Sequence, residues 1–207
     1  MIRDVIGRLV RRLPPRSRDH DDRMYQENRG IEAQALVNDN VSIAACDVSV
    51  IRQHCREWDR LTDAEKAVTL QRVTQKHNVG HRDRRSNTTC IALDEYRVAN
   101  LSEGKSADAK LANLAIGTGT TTPAYSNRDL NAREFVTDTT SFDAQGTDLV
   151  VRSFLDTSEG NDASGDLTEV GLLLEDGSLA NHSLITAVSK SSSRAVTFEV
   201  TLSFSAA

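Results

Sequence analysis

Histidines and cysteines are the side chains here best suited to acid–base, nucleophilic or metal chemistry. The histidines are His20, His54, His77, His81 and His182, and the cysteines are Cys46, Cys55 and Cys90. His77 and His81 stand four apart, with Cys46 and Cys55 upstream and Cys90 downstream. Two Cys and two His can ligate zinc, but structural zinc sites bring their cysteines in short paired knuckles, and no such knuckle occurs. The pattern reads as surface histidines and buried thiols, with no metal assigned. An odd number of cysteines without close pairs also makes no disulfide scaffold.

The run Ile116-Gly117-Thr118-Gly119-Thr120-Thr121-Thr122-Pro123 has the glycines of a phosphate cradle. It lacks the lysine of a P-loop and does not open a helix, so it reads as the turn-rich start of a strand. No G-x-S-x-G nucleophile elbow is present. Acids crowd residues 143–181, where Asp143, Asp148, Asp156, Glu159, Asp162, Asp166, Glu169, Glu175 and Asp176 stand against Arg152 alone. No pair of them stands apart as a glycosidase pair would, and a solvated acidic surface accounts for them. The reading assigns no catalytic residue, cofactor or metal, and expects a protein that is not an enzyme.

Residues 1–30 carry Arg3, Arg8, Arg11, Arg12, Arg16, Arg18, Arg23 and Arg29. Such a tract could bind nucleic acid through phosphates. Asp4, Asp19, Asp21 and Asp22 interrupt it, and Tyr25 is its one stacking aromatic, so nucleic acid is the less favoured partner. N-x-S/T triplets begin at Asn40, Asn87, Asn100 and Asn181, and matter only if the chain is displayed outside a cell.

The elements that would position these groups follow from periodicity. Ile2, Val5, Ile6, Leu9, Val10 and Leu13 share one face of a helix ended by Pro14-Pro15. A helix of about thirteen residues needs a partner surface. The Ile2–Ile6–Leu9–Leu13 seam fits contact between identical subunits, with a membrane-surface helix as the rival. Residues 16–30 read as a charged arm, and residues 31–58 hold apolar segments of ambiguous period. Thr62-Asp63-Ala64-Glu65 is a capping box that predicts a helix to about Lys76, stopping near Asn78-Val79-Gly80. Residues 80–90 read as a polar, Arg-containing loop. Strands are predicted at 148–155, 168–174, 183–189 and 196–204. In the last, Val196, Phe198, Val200, Leu202 and Phe204 alternate with polar residues, which calls for one buried and one wet face.

The expected fold class is therefore α+β: an α-rich N-terminal half with an extended basic arm, followed by an antiparallel β-sandwich. The expected divisions are the helix and arm (1–30), a mixed helix-containing domain (31–110) and the sandwich (111–207). The chain has 207 residues, a net charge of −5 and only 4% aromatic residues. It shows no signal peptide and no apolar run of about 20 residues, so it is expected to be soluble and made in a cytoplasm. Arg outnumbers Lys and Asp outnumbers Glu, which fits either a salt-tolerant, halophilic surface or codon bias alone.

Three pieces of the C-terminal half resemble a module of virion structural proteins of tailed bacterial and archaeal viruses. They are Leu114–Pro123 followed by Asn127-Arg128-Asp129-Leu130, then Leu167-Thr168-Glu169-Val170-Gly171-Leu172-Leu173-Leu174 with its Asp176-Gly177 turn, then the alternating final strand. The resemblance covers about 111–207. It implies a tail-fibre, baseplate or neck component, with a capsid-surface turret or spike as the alternative. It implies assembly as a homo-oligomer, most simply a trimer, with other virion proteins and a host cell surface as further partners. Val170, Leu172 and Leu174 would build the sandwich. Gly171 would admit a close strand or subunit. Leu173, on the opposite face with Glu169, would be covered by a neighbouring subunit or by its own chain. The candidate interface is thus Ile2, Ile6, Leu9, Leu13, Arg11, Arg12, Gly171 and Leu173. A DNA-binding protein using residues 1–30 and a hydrolase of host glycans are the competing functions.

Overall fold

The structure is a computed structural model that describes residues 40–102 and 111–203. The N-terminal helix and arm, with Ile2, Ile6, Leu9, Arg11, Arg12 and Leu13, lie outside the described residues. The described chain runs β1 (Asn40–Asp47), α1 (Val48–His54), a 3₁₀ turn (Trp58–Arg60), α2 (Asp63–His77), β2 (His81–Ser86), β3 (Thr88–Thr89) and α3 (Ile91–Ser102). It continues with β4 (Leu111–Gly117), β5 (Arg133–Gln145), β6 (Asp148–Leu155), β7 (Leu167–Leu174), β8 (Asn181–Val188) and β9 (Arg194–Ser203).

The strands form one antiparallel sheet in the order β2-β1-β9-β6-β5-β4-β7-β8-β3. Its two ends are consecutive in sequence, because only Asn87 separates β2 from β3. The stretch 81–89 therefore pairs with β1 through β2 and with β8 through β3, and nearly closes the sheet into a barrel. Side chains reinforce the seam. Asp83 Oδ2 accepts from Thr186 N at 2.8 Å, Arg85 Nη2 donates to Thr186 Oγ1 at 2.8 Å, and Ser183 Oγ donates to Ser86 O at 3.0 Å.

This architecture corrects the expected fold class. The protein is mostly β with three short helices among the described residues, not an α-rich half joined to a sandwich. β1 sits between β2 and β9, so the first described strand belongs to the same sheet as the last. The expected loop at 80–90 is largely strand: Val41, Ile43 and Ala45 of β1 lie opposite Arg85, Asp83 and His81. Its polar composition hid it, because closure here rests on backbone pairing and side-chain hydrogen bonds with little apolar burial of its own.

The barrel interior holds the period-2 apolar sets. Val41, Ile43 and Ala45 of β1, Val151 and Leu155 of β6, Val170, Leu172 and Leu174 of β7, and Val196, Phe198, Val200 and Leu202 of β9 form one buried cluster. Strict alternation sends the intervening residues outward. Outward Ala44, Cys46, Phe154 and Ala195 are covered by Val48 and Ile51 of α1, by Trp58, and by Ala67 and Leu70 of α2. Trp58 meets the Phe154 ring edge-on, with centroids 5.9 Å apart, a favoured aromatic geometry.

The capping box opens α2 as its sequence predicts: Glu65 N donates to Thr62 Oγ1, and Thr62 N donates to Glu65 Oε2 at 2.9 Å. Asn78 ends the helix in the left-handed region at φ 50°, a conformation Asn tolerates better than most residues. Thr62→Ala should lower stability by about 1 kcal/mol, read as a shift in the urea midpoint with an unchanged slope. No helix among the described residues is long and apolar enough to cross a membrane.

Candidate functional site

The densest polar arrangement in the described chain is built on Glu169, in the middle of the otherwise apolar β7. Alternation points Val170 and Leu172 into the barrel, so Glu169, Gly171 and Leu173 share the outer face. That face is wrapped by residues 118–132, the strap between β4 and β5. Oε1 of Glu169 accepts from Gly119 N at 3.1 Å and Ala132 N at 2.6 Å, and Oε2 accepts from Asn131 N at 3.1 Å. His182 of β8 lies 2.9 Å from Oε2 through Nε2. Both side chains have no solvent exposure.

The two glycines of the Gly117-Thr118-Gly119 run make this possible. A β-carbon on Gly119 would fall 2.5 Å from Glu169 Oε1, and one on Gly117 would fall 2.6 Å from the same oxygen. The run is a cradle for an anion, but the anion is the protein's own carboxylate. Thr168 Oγ1 donates to Gly119 O at 2.8 Å, and Thr118 N donates to Ala132 O at 3.0 Å, which pins the strap at both ends. Burying a carboxylate is costly unless charge and hydrogen bonds compensate it. Three backbone N–H groups and an imidazole supply that compensation here.

A carboxylate only accepts, so His182 Nε2 carries the proton and donates. The ring's Nδ1 is buried and has no partner among the described residues. Burial pushes the His182 pKa down, against the opposing pull of the Glu169 charge and hydrogen bond. The ring is therefore neutral at pH 7. A Glu–His pair at 2.9 Å has the geometry of an oriented general base, but neither atom of the pair reaches solvent. Its chemistry in this conformation is to hold β7, β8 and the strap together.

The candidate residues of the C-terminal half fall beside this clasp. A β-carbon on Gly171 would fall 2.5 Å from Leu179 Cδ1 and overlap Asn181 O, so this glycine admits the close approach of the β7–β8 connection. Leu173 is covered by its own chain and packs in a small core with Cys90, Ala115, Leu130 and Leu179. Asn181 Oδ1 accepts from Leu172 N at 2.8 Å, and Asn181 is 1% exposed. That burial shields it as a glycan acceptor in the folded protein.

The histidine and cysteine pattern is dispersed. His77 stacks on His54 with centroids 3.9 Å apart, while His81 opens β2. Among the described residues no three His, Cys, Asp or Glu side chains gather in a metal-binding group. The three thiols are free. Burial raises the Cys46 pKa, helped by the Asp47 charge, and pushes that of Cys90 up to about 12. Since the thiolate is the reactive form, a thiol reagent at neutral pH should label Cys55 of the native protein and leave Cys46 and Cys90 unlabelled until the protein is unfolded, as counted by intact mass.

Asp83, on the barrel seam, is opposed by burial. Hydrogen bonds from Thr186, Arg85 and Arg84 N–H outweigh that and bring its pKa to about 2. A depressed carboxylate stabilises the fold fully above its unfolded value near 3.8 and loses that contribution as pH falls through about 2. Asp83→Asn should therefore remove part of the stability difference between pH 5 and pH 2, measured by urea unfolding at each pH.

A shallow groove of about 510 Å³ crosses the outer face of β1, β9 and β6, lined by Asn40, Arg84, Arg152, Glu199 and Thr201 among others. Arg152 is neutralised there by Glu199 at 2.7 Å.

The Glu169–His182 clasp was not foreseen from the sequence. The only available signals were a lone acid inside an apolar strand and two glycines one residue apart. Compared with known protein families, curated proteins and solved structures, the chain matches none.

Proposed function

We propose that this chain is a non-enzymatic structural component of a tailed-virus particle, tail-associated as part of a fibre, baseplate or neck, and that it works as a homo-oligomer. The observation that carries this reading is the enclosure of Glu169. The Leu114–Pro123 and Leu167–Leu174 pieces, which resemble virion modules, are neighbouring strands β4 and β7 joined through the Gly117-Thr118-Gly119 cradle. The polar residues of these motifs are spent on architecture, which is what a packing module requires. A DNA-binding protein using the Arg-rich residues 1–30 is the competing reading.

Light scattering of the purified full chain after size exclusion, at low and at multimolar salt, tests the proposal. A closed oligomer of fixed stoichiometry at both salts supports it. A monomer at both salts overturns it as stated. A monomer that binds duplex DNA with an affinity falling steeply with salt shifts the function to nucleic acid.

A further inference from the structure

The seam beside His182 is the lightest closure of the barrel. β3 holds β8 through two residue pairs only, Thr88 with His182 and Thr89 with Asn181. Just beyond it, Cys90 N donates to Ala180 O at 2.9 Å, and the Cys90 side chain enters the small core with Leu173 and Leu179. His182 sits inside this seam with Nε2 committed to Glu169. A second proton on the ring must therefore land on Nδ1, and that atom is buried with no acceptor among the described residues. An N–H there stays unsatisfied until water reaches it.

We propose that the β3–β8 seam is an acid-operated latch: protonation of His182 at Nδ1 opens the seam locally, exposing the β8 edge and Cys90, while Glu169 keeps the strap on β7.

Imidazole is the side chain whose charge ordinarily changes between pH 7.5 and 5. The other charged and titratable groups around the clasp are held in pairs or hydrogen bonds. On the strap, Arg128 pairs with Glu95 and Asp129 with Arg133. On β5, Glu134 accepts from Thr118 and Ser164. At the start of α3, Asp94 accepts from Tyr125. At the far end of the seam, Asp83 is bonded to Thr186 and Arg85. On β3 itself the residues are threonines. Hydrogen bonds from Arg128 and from Ser164 and Thr118 hold Glu95 and Glu134, respectively, below the usual carboxylate range.

The sign follows from burial, which depresses the folded-state pKa of His182. The closed seam is fully stable above the unfolded value near 6.5, and below it one proton favours the open form by at most tenfold per pH unit. Opening leaves unpaired N–H and C=O groups along β8, the template on which a further strand adds.

Hydrogen exchange of the full chain, corrected for intrinsic rates, tests the latch on peptides covering 86–92, 118–132 and 180–184. Between pH 6.5 and 5.0 the first and last should lose protection about tenfold or more, and the strap peptide should not. His182→Gln retains a donor for Glu169 and cannot titrate, so its seam should be insensitive to pH over this range. A wild-type seam equally protected at both pH values overturns the proposal, as does an H182Q seam that opens with acid just as the wild type does. Should H182Q fail to fold, the His182 ring nitrogens can be followed by NMR in the wild-type chain. A ring titration coincident with seam opening supports the latch, and seam opening without ring titration overturns it.

Discussion

Glu169→Ala should lower folding stability by about 3–5 kcal/mol, the range for breaking a buried charged network by removing one partner. The substitution strands three backbone donors, at Gly119, Asn131 and Ala132, together with the imidazole N–H of His182. Gly119 and His182 are buried, so their orphaned donors carry the full desolvation penalty, while those of Asn131 and Ala132, at the more open end of the strap, carry less. Glu169→Gln keeps the shape but turns an NH₂ toward N–H donors, so it should rescue only part of the loss. Glu199→Ala is the control. Its partner Arg152 keeps 14% of its side chain exposed at the groove and retains Asp143 at 3.8 Å, so the loss should be smaller, about 1.5–3 kcal/mol, the range for one hydrogen bond to a charged group. Urea unfolding separates these cases: a lower midpoint with an unchanged slope reports stability alone. A Glu169→Ala midpoint equal to that of Glu199→Ala would show that the strap is not held by this carboxylate.

Gly171→Ala should destabilise by about 3 kcal/mol, the upper end of what overpacking a filled core costs. The new methyl group would fall 2.5 Å from Leu179 Cδ1, 3.3 Å from Leu130 Cδ2 and inside van der Waals contact of the Asn181 carbonyl. Leu179 could shift, but the carbonyl belongs to the backbone entering β8 and cannot move without disturbing the clasp. Gly165→Ala supplies the contrast, since nothing lies within 4 Å of its added methyl and its backbone is of the ordinary kind. Removing a glycine there restricts the unfolded chain and should be neutral or slightly stabilising. Thermal unfolding of the two variants side by side should give shifts of very different size. Equal shifts would mean that the β7–β8 connection relaxes freely around the extra carbon.

Both predictions concern residues whose importance the amino-acid order reveals unevenly. The helix at Asp63–His77 was legible because its signals are local: a threonine and a glutamate three apart, an apolar stripe and a left-handed stop at Asn78. Strands β6, β7, β8 and β9 were legible because alternation or an apolar run marks a face turned to a core. β5 was not, because thirteen residues from Arg133 to Gln145 are largely polar and exposed and carry no clear period. β2 was missed for a related reason: His81-Arg82-Asp83-Arg84-Arg85 buries little apolar surface and is a strand because β1 offers its edge. α3 also went unread. It lies against the strap through Tyr125 with Asp94 and Arg128 with Glu95, contacts made by residues about thirty positions away.

By itself, then, the sequence determined that this is a polar protein with an antiparallel β C-terminal half, a capped helix at Thr62, and a β7 strand with Val170, Leu172 and Leu174 on one face and Glu169, Gly171 and Leu173 on the other. Those properties depend on neighbours within a turn of helix or a step of strand. Tertiary structure alone decided that β1 joins β9 in one nearly closed barrel, that the strap covers Leu173, and that the two glycines enclose a carboxylate fifty positions away. Backbone pairing across the chain leaves no periodic trace in composition. A buried charge is recognised only when the donors that neutralise it, drawn from three separate segments, are seen to converge.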